Sequence, residues 1–116
     1  AAIAAALGRT DRLPDLLERA SPEEVQEAFG LAAINRQKEA VRLALDHGAD
    51  PNGFMPVHRH CLAVHQAVLA DDVAFMELLI ARGARIDIPD KLWGSTPLGW
   101  AMHQGKTRVR AYLESR

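Results

Sequence analysis

Cysteine and aromatic residues are scarce in this chain of 116 residues. A lone cysteine, Cys61, excludes an internal disulfide and fits a reducing compartment, so we expect a cytoplasmic protein. Phe, Trp and Tyr together make up 5% of the residues, so a close-packed interior must be built from small and aliphatic side chains. Such a composition favours helices that approach one another closely.

Long apolar runs and a large excess of one charge are also missing. The longest apolar stretch, Ala1 to Leu7, is too short to cross a bilayer, so we expect no membrane association. The formal net charge is -1, and we expect no nucleic-acid binding because that function calls for a basic excess. The N-terminal third is nevertheless acidic and the C-terminal end basic, a gradient that could steer a polar partner.

The sequence does contain an internal repeat. The segment Asp46 to Asn52 recurs as Ala81 to Asp87, and their Gly-Ala pairs lie 35 residues apart. An apolar helical pattern precedes each pair. A period of this length is typical of solenoids, in which a unit buries its apolar faces by stacking on its neighbours.

The motif Gly94-Ser95-Thr96-Pro97-Leu98-Gly99-Trp100-Ala101 follows the second Gly-Ala pair. It resembles the ankyrin repeat, whose pattern is Gly-x-Thr-Pro-Leu-His-x-Ala-Ala, then a Gly turn, then an outer helix closed by Gly-Ala-Asp. The resemblance implies an all-α fold, an ankyrin-repeat solenoid of stacked helix-turn-helix units with short hairpin-like fingers. We predict a single domain over residues 1–116, with units at about 1–20, 21–52, 53–87 and 88–116.

Local signals place the ends of the helices. Gly48 and Gly83 stand where an outer helix must end in a left-handed residue, and Thr96-Pro97 is typical of a helix start. Ser21-Pro22-Glu23-Glu24 is typical of a capping box, so we predict that the second inner helix begins early, near Pro22. Seven leucines are predicted to fill the layer between inner and outer helices: Leu16, Leu17, Leu43, Leu45, Leu78, Leu79 and Leu113.

A cluster of His58, His60, Cys61 and His65 has metal-ligand chemistry, because imidazole and thiolate suit zinc. His65, however, occupies the motif's Leu-His position, where the resemblance implies a side chain that hydrogen-bonds the backbone of neighbouring fingers. We favour that structural role and expect neither a metal nor a cofactor. A zinc-stabilised binding module that uses all four residues is kept as an alternative.

No catalytic constellation is compelling in this sequence. Gly105-Lys106-Thr107 is similar to the end of a phosphate-binding loop, but Trp100 stands where that loop requires its first Gly. The carboxylate pairs Glu23-Glu24 and Asp71-Asp72 lie at helix starts, where the helix dipole favours them. The spacing of Cys61 and His65 is only a weak signal for a catalytic pair of nucleophile and base. We therefore expect that the chain is not an enzyme.

The resemblance implies that a partner binds on the concave side, which consists of finger tips and one end of each inner helix. Trp100 is predicted to pack between inner helices, whereas Trp93 at a finger tip either folds back over the next finger or serves as a binding hot spot. The inner-helix positions that the resemblance implies contact a partner are Ile34, Asn35, Leu69, Ala70, His103 and Gln104. The finger tips add Phe54, Met55, Val57, His58, Arg59, His60, Lys91, Leu92 and Trp93.

The sequence therefore predicts a monomeric scaffold that binds a protein partner through these residues. Because the chain begins with Ala1 and ends within a helical pattern, we also expect a fragment of a longer protein. A regulatory arm of a larger enzyme is accordingly the second alternative.

Overall fold

The computed structural model describes residues 11–53 and 61–116. These two stretches contain seven α-helices and no strand, as the all-α ankyrin-repeat prediction requires. None of these helices is long and apolar enough to cross a membrane. In chain order the helices are α1 Leu13–Glu18, α2 Pro22–Ile34, α3 Lys38–Asp46, α4 Ala63–Leu69, α5 Val73–Ala81, α6 Pro97–Gln104 and α7 Thr107–Glu114.

The helices lie in two rows. The inner row consists of α2, α4 and α6, and each inner helix packs on the outer helix that follows it and on the neighbouring inner helix. In the outer row, α1 packs on α3 and α5 packs on α7. This arrangement is the predicted stack of helix-turn-helix units, and its extents are 39 × 24 × 21 Å.

Small side chains allow the inner helices to approach closely. Ala32, Ala67 and Ala101, one on each inner helix, are fully buried. Their methyl groups occupy little space, so the interface between neighbouring helices is formed close to the backbones. The large buried side chains then complete the core; Phe29 lies on inner helix α2 and Phe75 on outer helix α5.

One of the seven predicted core leucines is not in the core. Leu17 is 2% exposed, whereas its neighbour Leu16 is 40% exposed, so the prediction for Leu16 was wrong. Successive residues on a helix point about 100° apart, and a short helix such as α1 can turn only one of the two toward the rest of the stack. Leu79 and Leu113 are buried as predicted, and Leu43, Leu45 and Leu78 are half-buried against the core.

The predicted helix ends are confirmed. Gly48 and Gly83 adopt φ angles of 97° and 94°, which glycine reaches without steric cost. The capping box at the start of α2 is formed, because the Ser21 Oγ accepts from the Glu24 N–H at 3.2 Å and the Ser21 N–H donates to Glu24 Oε1 at 3.1 Å. The Thr96 hydroxyl accepts a hydrogen bond from the Gly99 N–H at the start of α6.

The turns within helix pairs use left-handed residues that are not all glycine. Arg36, Asp71 and Gly105 have φ angles of 59°, 50° and 67°. A left-handed non-glycine residue is strained, and at Asp71 a hydrogen bond offsets this cost. The Asp71 carboxylate accepts from the Val109 N–H at 3.0 Å and so caps α7, whose own N-cap side chain forms no such bond.

Side chains also hold the finger bases, both within a unit and between successive units. Gln26 on α2 exchanges two hydrogen bonds with the backbone of Asp50, at 2.9 and 2.7 Å. The side chain of Asn52 in turn bonds the Gly83 carbonyl at 3.1 Å and the Arg85 N–H at 2.8 Å. The bonds of Asn52 fix the register of one unit on the next, because its side chain satisfies backbone groups of the following unit.

The packing of the inner row predicts that replacing alanine by leucine lowers the free energy of unfolding at a buried position but not at an exposed one. Ala67→Leu is expected to lower the free energy of unfolding by about 1–3 kcal/mol, because the buried site has no space for three more carbons. Ala74→Leu on the exposed side of α5 is the matched control and should change it by less than about 0.5 kcal/mol. Urea unfolding followed by circular dichroism measures both, and equal losses would contradict close packing of the inner helices.

Candidate protein-binding site

Asp90 organises the third finger, residues 87–95. Its side chain is 2% exposed overall, and the carboxylate accepts backbone hydrogen bonds from Leu92 at 3.0 Å, Trp93 at 2.8 Å and Ser95 at 2.7 Å. Its own N–H donates to the Ser95 carbonyl at 2.9 Å. The finger tip is therefore folded around one carboxylate, which fixes the backbone of Trp93 by a hydrogen bond.

The same carboxylate reaches α6. Asp90 Oδ1 accepts a hydrogen bond from the Trp100 indole Nε1 at 3.2 Å. Burial by itself would raise the pKa of Asp90, but the backbone hydrogen bonds from Trp93 and Ser95 and the indole bond outweigh it and lower that pKa to about 2. Asp90 is thus ionised at neutral pH, with its charge stabilised by N–H groups that point at it.

His65 lies buried beside this finger. Its Nδ1 accepts from the Leu62 N–H at 3.0 Å, so the proton is on Nε2, which donates to the Ser95 carbonyl at 3.1 Å. Its ring centroid lies 4.7 Å from that of Trp100. The predicted bond between His65 and the backbone of a neighbouring finger is confirmed, and it ties α4 to the base of the third finger.

The two tryptophans have different environments. Trp100 is 7% exposed and contacts His65 of α4, so it packs between inner helices as predicted. Trp93 is 65% exposed, although its ring lies 5.6 Å from the Trp100 ring with the two planes at 68°. Trp93 is therefore oriented by an edge-to-face contact and still presents most of its surface to solvent.

A groove of about 640 Å³ lies between the third finger and α6. We call it the Trp93 groove. The α6 side includes Gly99, Met102 and His103, which share one helix face because they are three and four residues apart. The full lining is Trp93, Ser95, Gly99, Trp100, Met102, His103 and Gln104.

Large exposed apolar side chains concentrate in this groove and in the finger tip beside it. Leu92 is 62% and Met102 53% exposed, so with Trp93 they account for three of the four such residues in the described part of the chain. The fourth, Leu16, lies on α1 at the other end of the helix stack. A concentration of exposed apolar surface of this kind typically marks a binding site.

The structure brings some of the sequence-predicted contact residues together. Trp93, His103 and Gln104 line the groove, and Lys91 and Leu92 precede Trp93 in the finger tip. Met102 was missed by the sequence prediction. Its signal is a large side chain at an inner-helix position where the ankyrin motif has Ala.

Other predicted contact residues lie elsewhere. Ala70 lines a second pocket, formed with Asp71, Arg108 and others at the inter-helix turns. Ile34 and Leu69 are half-buried against the core, and the Asn35 side chain donates to a carbonyl of its own helix. The predicted finger residues Phe54, Met55, Val57, His58, Arg59 and His60 lie outside the described residues.

The described part of the histidine cluster does not form a metal centre. Both ring nitrogens of His65 are held by backbone groups, and Cys61 Sγ accepts a bond from the Gln66 side chain at 3.4 Å. Burial raises the pKa of the Cys61 thiol, which disfavours the thiolate that zinc requires. Within residues 11–53 and 61–116, no three His, Cys, Asp or Glu side chains are grouped to hold a metal ion.

Known proteins resemble the chain over most of its length. It is 39% identical over 114 residues to cyclin-dependent kinase inhibitor 2A of Monodelphis domestica, and 30% identical over 118 residues to cyclin-dependent kinase 4 inhibitor B of Mus musculus. The second match covers 98% of this chain and 89% of the mouse protein. The chain belongs to the ankyrin-repeat family of these inhibitors. No model of a known protein family matches it.

The share of each relative that the chain covers differs. The chain spans 66% of the length of the Monodelphis protein, which matches 95% of this chain. A bacterial relative, protein PhlB of Serratia liquefaciens, is 32% identical over 75 residues, which is 65% of this chain and 32% of PhlB. Two of these relatives are named for inhibition of protein kinases, and this supports a protein-interaction role for the chain.

The buried carboxylate of Asp90 predicts that the loss of stability caused by replacing it depends on pH. Asp90→Asn is expected to lower the free energy of unfolding by about 1–3 kcal/mol at neutral pH, because the amide is uncharged and turns an N–H₂ group toward other donors. The pKa of Asp90 falls from 3.8 to about 2 on folding, so its contribution is complete above pH 3.8 and is lost as the pH falls toward 2.

The difference in stability between the wild type and Asp90→Asn should therefore narrow on acidification. Guanidinium unfolding at a series of acidic and neutral pH values measures it. Asp15→Asn serves as the control, since Asp15 is exposed on α1. A difference that stays constant with pH would contradict the role given to the Asp90 charge.

Proposed function

We propose that the chain is a single-domain, non-enzymatic module that binds a protein partner at the Trp93 groove. Exposed Trp93 and Met102 line this groove, and exposed Leu92 precedes Trp93 in the finger tip; this concentration of apolar surface carries the proposal. Aromatic anchors with a polar surround are typical of the energetic centre of a protein interface. His103 and Gln104 supply polar groups at the same groove.

The rigidity of the site supports this function. The finger backbone is held by Asp90, and Trp93 rests on the buried Trp100. A partner that binds a preorganised tip orders few additional side chains, so less of the interaction energy is lost on binding. The hydrogen bond from the Trp100 indole to Asp90 keeps α6 and the finger in a fixed arrangement.

We further propose that the partner is a cyclin-dependent kinase. The names of the Monodelphis and Mus relatives state this target for those proteins, and they match 95% and 98% of this chain. Direct titration of the chain into purified cyclin-dependent kinase 4, followed by calorimetry and by a substrate-phosphorylation assay, tests the proposal. Saturable binding with loss of kinase activity would support it, and no binding would overturn the kinase assignment.

Trp93→Ala is expected to weaken binding to the partner by about 2 kcal/mol, roughly thirtyfold, because an exposed aromatic anchor is removed. Stability should fall by less than about 1 kcal/mol, since most of the side chain is exposed. Calorimetric titration measures the first effect and thermal unfolding the second. Leu16→Ala removes an exposed apolar side chain from the other end of the stack and should leave binding unchanged.

These two measurements separate the possible roles of Trp93. Weak binding with a near-normal melting temperature supports the contact role. A large drop in melting temperature would show instead that Trp93 is structural, and normal binding by Trp93→Ala would remove the groove from the interface.

A further inference from the structure

We propose that Met102 is an oxidation site that regulates the Trp93 groove: a peroxide converts its thioether to a sulfoxide, and the polar sulfoxide weakens the binding of a partner. This inference rests on the proposed function, because the affinity that changes is that of the groove for protein. It adds a reversible chemical modification of the same site.

Met102 is the exposed methionine of the described part of the chain. Its side chain is 53% exposed on α6, whereas Met76 on α5 is fully buried in the core. Met55, the third methionine of the sequence, lies outside the described residues. An oxidant dissolved in water must reach the sulfur, so Met102 reacts and Met76 is protected.

The oxidation step needs a peroxide and no other reactant. A lone pair of the Met102 sulfur attacks one peroxide oxygen, an S–O bond forms and the O–O bond breaks. With hydrogen peroxide, the proton of the transferred hydroxyl group passes to the departing hydroxide, so the products are the sulfoxide and water. The sulfur loses two electrons and the peroxide gains them.

Cys61 does not compete for the oxidant. Its side chain is fully buried, and its Sγ accepts a hydrogen bond from Gln66 at 3.4 Å. Burial raises the pKa of the thiol, so less of the thiolate that attacks peroxides is present at neutral pH. Exposure and ionisation therefore direct a peroxide to the thioether of Met102 rather than to the lone thiol.

The sulfoxide would form where a partner covers the groove. Met102 and Trp93 both line it, and both are more than half exposed. A sulfoxide oxygen is a strong hydrogen-bond acceptor, which water solvates in the free chain. A partner that covers Met102 removes that water, and the acceptor left without a donor lowers the affinity.

The fold does not depend on the Met102 side chain. The bonds that hold the third finger, from the Trp100 indole to Asp90 and from His65 to Ser95, do not involve it. Oxidation therefore changes the surface of the groove and leaves the helix stack folded. Methionine sulfoxide reductases restore the thioether, so the change is reversible.

Selective oxidation is tested first. The purified chain is treated with dilute hydrogen peroxide and digested with trypsin, which places the three methionines in separate peptides, 43–59, 60–82 and 92–106. Peptide 92–106 is expected to gain the mass of one oxygen atom at Met102, while Met76 stays unmodified and the circular dichroism spectrum is unchanged. Because both tryptophans of the chain line the groove, their fluorescence should change in the wild type and not in Met102→Leu.

Binding is tested with peptides. Phage-displayed random dodecapeptides are selected on the unoxidised chain and, in parallel, on Trp93→Ala, and synthetic copies of those enriched only on the wild type are the probes. Their affinity is expected to fall about tenfold after peroxide treatment and to recover after incubation with methionine sulfoxide reductase. Recovery separates sulfoxide formation from damage to Trp93, which the reductase does not repair.

Two substitutions of Met102 form a matched pair. Met102→Gln places a polar side chain of similar length in the groove and should weaken the peptides about tenfold without any peroxide. Met102→Leu removes the sulfur, so its affinity, whatever its starting value, should be the same before and after peroxide treatment.

The outcomes distinguish this inference from the proposed function. Unchanged peptide affinity after complete oxidation of Met102, or a loss that persists in Met102→Leu, would overturn the regulatory role and leave the groove as a protein-binding site. Oxidation of Met76 as fast as Met102, or loss of the circular dichroism signal, would overturn a selective modification of the surface. Failure to enrich any Trp93-dependent peptide would overturn the proposed function and this inference together.

Discussion

The candidate binding site depends on the buried carboxylate of Asp90. One side chain satisfies backbone donors in the finger and the indole of Trp100, so the finger cannot move independently of α6. The exposed Trp93 then rests on a ring that is itself fixed from two sides, by Asp90 and by His65. Because the carboxylate is charged, each of these hydrogen bonds is stronger than a bond between neutral groups.

The scaffold beneath this site is built from small buried residues and from tight turns with left-handed residues. Buried alanines bring the inner helices together, and left-handed turn residues reverse the chain in a few residues. Large apolar side chains near the C-terminal end are left exposed.

Much of the fold could be predicted from the sequence, because the signals are local. The Gly-Ala pairs, Thr96-Pro97 and the Ser21 capping box each specify a helix end through nearby backbone groups. The groove could be predicted only in part. His103 and Trp93 were found by their positions in the motif, but Met102 required knowing which side of α6 faces the finger. The exposure of Leu16 likewise depends on the rotation of α1 against its neighbours, which periodicity over six residues does not define.

The cap that Asp71 places on α7 has a consequence for how the protein unfolds. The carboxylate belongs to one helix pair and the amide that it binds belongs to the next, so the last outer helix is complete only while the preceding pair is folded. Lys38 and Asp72 join two earlier pairs in the same way. Nearest-neighbour coupling of this kind makes a short solenoid lose its structure as one cooperative unit, and the Trp93 groove at its end is maintained by the whole stack.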